Sequence, residues 1–218
     1  MAVLKLVLAN KAYSSWSLRP WMLLTHFQIP FEEVVIPLDL PATRERLLAY
    51  SPTAKAPVLI DGGIAIWESL AILEYVAETF PDLPIWPRDI AARAQARALA
   101  SEMHAGFVPL RQHCPTQFLR PVRKRALTRA AEADVARLED AWRGARTKYG
   151  GAGPFLFGAF SAADAMFSPV VNRFHIYEIP VAEDTRDYMG AIMALPAWSA
   201  WISGAAKEPW RIAEYEAV

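Results

Sequence analysis

The chain has 218 residues, of which 54% are hydrophobic and 21% charged, a composition typical of a globular protein that buries a sizeable core. Its 23 lysine and arginine residues balance its 23 aspartate and glutamate residues, so the net charge argues against nucleic acid or an anionic membrane as a partner. No apolar run approaches the ~20 residues of a membrane-spanning helix, and one cysteine with four scattered histidines excludes an internal disulfide, a C-x-x-C redox pair and any familiar metal-ligand spacing.

Residues 1–80 predict strands and helices in the order β-α-β-α-β-β-α. A helix between the first two strands favours a parallel pair, whereas the Asp61-Gly62-Gly63 turn favours an antiparallel hairpin between the last two. The expected result is a mixed four-stranded sheet. The predicted strands are 2–9, 31–38, "APVLID" and "IAIW", and the predicted helices are 17–28, "TRERLLAYSP" and 68–80.

A proline-rich segment separates this part from the rest of the chain. "FPDLPIWPRD" carries three prolines in ten residues, and because proline cannot continue a helix, the segment predicts a stiff linker. Everything after it has a helical pattern. We therefore expect an α/β domain at 1–80, a linker at 81–89 and an all-helical domain at 90–218. The helices of that second domain are predicted at 90–113, 121–148, 161–177, 185–195 and 196–206.

Three local features of the helical part bear on its structure. Pro109 should kink or end the helix 90–113. The basic run "RPVRKRALTR" is followed by acidic residues, which favours an exposed helix face over a polyanion site. Ser161 with Asp164 three residues later is a capping-box-like pair opening an apolar helix, and we interpret it as a folding feature.

The turn "KAYSSWSLRPW" joins the first strand to the first helix. A mixed sheet in this order, with a proline opening its third strand, is the thioredoxin-like arrangement, in which redox enzymes place C-x-x-C at this turn. Here the turn carries Ser14, Ser15, Trp16 and Ser17. Serines cannot exchange dithiols, so any sulfur chemistry requires a thiol that a ligand supplies.

At this point the chain resembles the cytosolic glutathione transferases. Four separated segments carry the resemblance over essentially the whole chain: "YSSWSLRPW", "KAPVLI", "WESLAI" and "FLFGAFSAADAMFSP". The turn is most similar to the zeta-class pattern S-S-C-S-x-R of the serine-type branch, with Trp16 in place of the cysteine. In the family, the serine hydroxyl donates a hydrogen bond to the glutathione thiolate. The resemblance gives that role to Ser14, with Ser15 as the nearest competitor, whereas Ser17 is interpreted as a helix cap.

The resemblance also implies a glutathione site formed by two other segments. It makes the peptide bond before Pro57 cis, gives the backbone of Ala56 to the cysteinyl part of glutathione, and puts Lys55 near a carboxylate end. Glu68 would take the ammonium group, and Ser69, at a helix N-terminus, the γ-glutamyl carboxylate. The structural alternatives are an ordinary strand-start proline and an acid and cap that only suit the helix dipole.

The helix 90–113 would line the pocket for a second substrate. By resemblance, the candidates there are Met103, His104, Phe107 and Arg111. The alternative is ordinary amphipathic packing, because a stripe at helical spacing is usually core and polar residues opposite it are usually solvated.

Three functions follow as hypotheses. The leading one is a cytoplasmic detoxifying transferase that uses glutathione and no metal against an electrophilic, largely apolar second substrate. The alternative is a zeta-like cis–trans isomerase of maleylacetoacetate or a related maleyl acid, although Arg173 is displaced from the family's carboxylate-binding arginine when counted from Asp164. The third is a non-catalytic scaffold. Family members usually form homodimers through the 68–80 and 90–113 helices.

Overall fold

The computed structural model describes residues 3–217. Its first elements are β1 Leu4–Leu8, α1 Ser15–His26, β2 Phe31–Val35, α2 Thr43–Leu48, β3 Val58–Asp61, β4 Ile64–Trp67 and α3 Ser69–Thr79. The sheet has the strand order β2-β1-β3-β4, with β1 and β2 parallel and the other two pairs antiparallel. This confirms the thioredoxin-like mixed sheet; residue 2 of the first predicted strand lies outside the described residues.

Strand β1 is covered on both faces. Leu6 and Leu8 point into the large core, whereas Val7 points into a smaller cluster on the other face, which includes Leu47 of α2. Each leucine buried in this way contributes about 2 kcal/mol through the hydrophobic effect. The strand is therefore fixed in place, and so is the point where its carboxyl end leads into α1.

The remaining elements are helical, which confirms the second part of the predicted fold. The proline-rich segment before them is packed against the helices, because Ile85 is buried and its carbonyl accepts a hydrogen bond from the Ala162 N–H at 2.8 Å. The boundaries predicted at 80 and 90 stay a prediction. The helices are α4 Ile90–Ala105, α5 Val108–His113, α6 Arg129–Tyr149, α7 Ala162–Ile176, α8 Glu183–Met193, α9 Pro196–Ala206 and α10 Ala213–Glu216.

The predicted helix 90–113 is two helices. The first, α4, ends at Ala105, and Phe107 adopts a left-handed conformation (φ 60°) before α5 begins. Pro109 lies in the first turn of α5, where its missing N–H has no intrahelical role to fill. The break therefore comes before the proline, at Gly106 and Phe107.

The predicted helix 121–148 begins only at Arg129, so its first part is wrong. Residues 121–128 form an extended segment, in which the N–H groups of Arg123 and Arg125 donate to the carbonyls of Ile176 and Tyr177. These distant partners replace the hydrogen bonds that a helix would have supplied. The basic run thus lies mainly on extended chain rather than on a helix face.

Helix α7 is the centre of the helical part and is buried along nearly its whole length. It packs against α1 and α4, so one continuous apolar core joins the sheet side to the helical side. The predicted capping box at its start is present: Asp164 accepts from the N–H and the hydroxyl of Ser161, both at 2.9 Å.

Within residues 3–217, no single helix has the length and hydropathy needed to cross a membrane. The helices α8 and α9 meet those criteria jointly, but they form a pair bent by 67°.

Candidate functional site

The site begins at the N-terminus of α1, immediately after the loop that follows β1. Ser14 is the N-cap: its Oγ accepts from the Ser17 N–H at 3.2 Å and donates to the Ser17 Oγ at 2.8 Å. The Ala9 N–H also donates to the Ser17 Oγ, at 3.0 Å. The interpretation of Ser17 as the cap is therefore wrong; Ser17 is a buried hydroxyl that ties the end of β1 to α1.

The positive end of α1 lacks a neutralising residue of its own. The first turn of the helix contains no acidic side chain, and the first N–H groups of any helix lack intrahelical partners. Ser15, the first helical residue, is half-buried, and its hydroxyl has no hydrogen-bond partner within residues 3–217. This helix end favours an anion that comes from outside the chain.

A first cleft of about 270 Å³ lies beside this helix end. Four predicted glutathione-binding residues come together on its wall, and the peptide bond between Ala56 and Pro57 is cis, as the resemblance implied. Thr53 and Trp67, which sequence reasoning missed, also face the cleft. The lining residues are Trp16, Thr53, Lys55, Ala56, Pro57, Trp67 and Glu68.

Ser69 is placed differently from its prediction. Its side chain is fully buried behind the cleft, where the hydroxyl accepts from Arg19 at 3.3 Å and points toward the Met166 sulfur at 3.9 Å. Ser69 lines neither cleft, and the predicted role of its hydroxyl in carboxylate binding stays a prediction. Helix α3 begins directly after Glu68, which lines the cleft, and the first N–H groups of any helix lack intrahelical partners.

A second cleft of about 360 Å³ adjoins the first, and the two share Trp16, Lys55 and Ala56 as lining residues. Ser14 and Ser15 lie on the wall of the second cleft. The opposite walls come from distant parts of the chain, including Arg111 of α5 and Arg173 of α7. Both serines thus line the cleft that adjoins the first one.

The structure separates the four residues predicted for the second-substrate pocket. Met103 and Phe107 are buried in the core and line neither cleft, so the structure gives them a packing role, and their predicted place in a second-substrate pocket stays a prediction. His104 lies behind Trp16, with ring centroids 5.1 Å apart, and its Nε2 is 3.4 Å from Glu68 Oε2. Arg111 does line the second cleft.

Trp16 stands between two guanidinium groups. Arg19 lies 4.1 Å from its ring centroid and Arg111 4.9 Å, both within cation–π distance. Arg19 is fully buried, and its pKa is lowered well below the usual range, first by burial and then by the charges of Arg111 and Arg173. Sequence reasoning missed Arg19 as a site residue, although it occupies the arginine position of the zeta-class turn pattern.

Arg173, which is displaced in sequence from the family's carboxylate-binding arginine when counted from Asp164, lies on the wall of the second cleft. Its guanidinium donates to the carbonyls of Cys114 at 2.8 Å and Pro169 at 3.2 Å. Burial and the nearby charge of Arg111 lower its pKa to about 10, so it remains a cation at neutral pH. Together with Arg111 it makes the second cleft attractive to an anion.

Two family descriptions match the chain. Residues 13–79 match the glutathione S-transferase N-terminal domain and residues 120–203 match the glutathione S-transferase C-terminal domain, together more than half of the chain. The chain belongs to the glutathione S-transferase family.

Relatives of this chain carry different names. It is 37% identical over 106 residues to a probable maleylacetoacetate isomerase of Caenorhabditis elegans, covering 49% of this chain and 50% of that protein. It is 42% identical over 88 residues to glutathione S-transferase U6 of Arabidopsis thaliana, covering 40% of this chain and 39% of that protein. The chain thus matches half or less of the length of either relative.

Among solved structures, a glutathione transferase homologue from Burkholderia with bound glutathione has the same fold as this chain. The TM-score is 0.70 at 21% identity, covering 93% of this chain and 97% of the other. Within the part of the chain that the structure describes, no group of three or more histidine, cysteine, aspartate or glutamate side chains could hold a metal ion.

Proposed function

We propose that this protein acts as a glutathione transferase: it binds glutathione in the first cleft, stabilises its thiolate at the start of α1, and directs the sulfur at an electrophile in the second cleft. One observation carries the proposal: the two clefts share Trp16, Lys55 and Ala56 as lining residues, and Ser14 and Ser15, which directly precede Trp16, line the second cleft. Holding two reactants in contact in this way lowers the barrier to their reaction.

The first cleft offers groups that complement glutathione, a tripeptide with two carboxylates, one ammonium group and one thiol. The Lys55 ammonium suits the carboxylate of the glycine end, and the Glu68 carboxylate suits the ammonium of the γ-glutamyl end. The first-turn N–H groups of α3 suit the γ-glutamyl carboxylate. The backbone of Ala56 lies between these ends, where the cysteinyl unit of the peptide would pair with it.

We assign the hydrogen bond to the thiolate to Ser14. Its hydroxyl now donates to the Ser17 Oγ, and turning toward a thiolate exchanges a neutral hydrogen bond for a charge-assisted one, which is about twice as strong. The unneutralised end of α1 adds about 0.5–1 kcal/mol in favour of the anion. Both effects lower the pKa of the bound thiol, and the thiol proton leaves to solvent.

Replacing Ser14 by glycine tests this assignment, because glycine keeps most of the N-cap stability, at a cost of about 0.3 kcal/mol. We expect the thiol pKa of bound glutathione, followed by thiolate ultraviolet absorbance, to rise by about one unit, with turnover falling about tenfold. Ser15→Gly tests the competing serine, and Ser161→Gly is the matched control at the buried cap of α7.

An unchanged thiol pKa in Ser14→Gly, with a raised one in Ser15→Gly, would transfer the role to Ser15. Wild-type protein that binds glutathione without a thiolate absorbance band and without turnover of any electrophile would leave the non-catalytic scaffold as the better description.

A second candidate is the cis–trans isomerisation of a maleyl acid. The observation that favours it is the pair of arginines on the wall of the second cleft, Arg111 and Arg173, which suits a carboxylate-bearing substrate better than an apolar one. In such a reaction glutathione adds to the cis double bond, the resulting single bond rotates, and elimination returns glutathione. Conversion of maleylacetoacetate without net glutathione loss, with a KM raised about tenfold in Arg173→Gln, would support this function; no conversion would remove it.

We also propose that the protein is a cytoplasmic homodimer, as is typical of the family. The exposed face of α4 supports this, because Ala94 and Ala98 are small and Ile90 is 75% exposed. Two further alanines of α4, Ala92 and Ala96, are buried in the chain's own core. A monomer in sedimentation at micromolar concentration would contradict the proposal.

A further inference from the structure

The loop that carries Ser14 is held by a carboxylate from the far end of the chain. Glu208, just after α9, is buried, and its two oxygens accept the N–H groups of Lys11 at 2.8 Å and Ala12 at 3.3 Å. The Ala12 carbonyl in turn accepts from the Phe118 N–H at 2.9 Å. Residues of the helical part therefore hydrogen-bond both the N–H groups and a carbonyl of this loop.

The side chain of Lys11 also holds the loop in place through contacts with other elements. Its ammonium pairs with Glu33 at 2.6 Å and lies near the rings of Trp21 and Trp201, at 4.8 and 5.5 Å from their centroids. Gly204 of α9 is close enough that a Cβ there would come within 2.9 Å of the lysine Cδ. With its side chain enclosed, Lys11 has little freedom to turn its N–H away from Glu208.

The position of Ser14 follows from that of these loop residues. The N–H groups of Tyr13 and Ser14 both donate to the Asn10 carbonyl, at 3.2 and 2.8 Å, so residues 10–14 form one closed turn. A shift of Lys11 and Ala12 is therefore transmitted to Ser14. The first cleft has none of these residues on its wall, so its shape does not depend directly on Glu208.

We propose that Glu208 is a positioning residue for the thiolate hydrogen bond: by holding the N–H groups of Lys11 and Ala12, it sets the place of the Ser14 hydroxyl. This rests on the proposed function. Displacements of about 1 Å at a catalytic group reduce rates substantially, so the effect should fall on turnover and on the thiol pKa. The affinity for glutathione should stay unchanged, because it depends on the wall of the first cleft, which none of these loop residues lines.

The test compares Glu208→Gln with Glu208→Asp and with a control, Glu214→Gln, which alters an exposed carboxylate on the same C-terminal segment. Gln keeps the shape of the side chain but presents an NH₂ group to one of the two N–H donors. We expect kcat to fall about tenfold and the bound thiol pKa to rise, while the KM for glutathione stays within about twofold. The Asp variant, which keeps both acceptor oxygens, should recover part of kcat, and the control should match wild type.

Several results would overturn the assignment. One is a folded Glu208→Gln protein whose kcat and bound thiol pKa equal those of wild type. Another is a loss of kcat that is proportional to the loss of thermal stability in both the Gln and the Asp variant. If Glu208→Gln does not fold, Glu208→Asp alone decides, since a carboxylate one methylene shorter must still shift kcat and the thiol pKa without shifting KM. A wild-type protein with no thiolate band would instead overturn the proposed function, and this inference with it.

Discussion

Two helices of this protein begin with a serine cap, and they use it differently. At α7, Ser161 is followed three residues later by Asp164, and the whole start of the helix is buried. At α1, Ser14 is followed three residues later by Ser17, the first turn carries no acid, and the cap borders a cleft. The N-terminus of α7 is thus neutralised by a carboxylate of the chain itself, which serves folding. The N-terminus of α1 has no such carboxylate and can interact with an anionic ligand.

The largest expected effect is on the free energy of unfolding, and it comes from the N-terminus of α7. Asp164 accepts from the N–H groups of Leu156 at 3.1 Å and Ser161 at 2.9 Å, and from the Ser161 hydroxyl. Asp164→Ala leaves these buried donors unpaired, so the free energy of unfolding should fall by about 4 kcal/mol. Urea unfolding measures this, with Ser161→Ala as the comparison at about 1 kcal/mol. A loss below that of Ser161→Ala would show that the carboxylate does not hold this helix end.

The second prediction concerns pH. Burial raises the pKa of Asp164 from 3.8 to about 6, against the pull of its hydrogen-bond donors. Between those two values the folded protein keeps a proton that the unfolded chain has released, so this group's contribution to stability falls as the pH rises from 3.8 to about 6, and is flat above. The stability of wild type relative to Asp164→Asn should therefore be greater at pH 4 than at pH 7, by about 2 kcal/mol. A pH-independent difference would contradict the raised pKa.

A third prediction separates the effect of Ser17 on stability from its effect on the bound thiol at the N-terminus of α1. Ser17→Ala removes the acceptor for the buried Ala9 N–H, so the free energy of unfolding should fall by about 2 kcal/mol. The thiol pKa of bound glutathione should not rise, because the Ser14 hydroxyl loses a competing partner. A rise like that expected for Ser14→Gly would mean that Ser17 shares the thiolate role.

The smallest expected effect on stability comes from placing an acidic residue in the first turn of α1. Ser15→Asp places a carboxylate in the first turn, which should stabilise the helix by about 0.5 kcal/mol. The same charge repels a thiolate, so the pKa of the bound thiol should rise and turnover should fall. Ser15→Asn, which is nearly the same shape but neutral, is the control. Equal thiol pKa values in the two variants would contradict the view that an uncompensated helix end serves the anion.

Much of the fold was predictable because its signals are local. The Gly62-Gly63 turn, the proline-rich segment and the spacing from Ser161 to Asp164 each act within a few residues. The start of α6 was not predictable in this way. The backbone of residues 123–125 finds its partners at residues 176 and 177, and nothing in the local pattern shows such a pairing.

The candidate site divides along the same line. Lys55, Ala56 and Pro57 are consecutive, and one strand start brings them to the first cleft. The direction of the Ser69 hydroxyl depends instead on Arg19 and Met166, which come from two other helices. The arginines of the second cleft likewise reach it only through the packing of α5 and α7, which periodicity alone does not give.

Trp16 has a consequence for the order of events. Its indole forms part of both cleft walls and touches Arg19 and Arg111 at once. A ligand that moves this ring in one cleft changes the shape and charge of the other. The two binding free energies are then coupled, and such coupling is reciprocal: whatever glutathione does to the affinity of the second cleft, an occupant of the second cleft does to the affinity for glutathione.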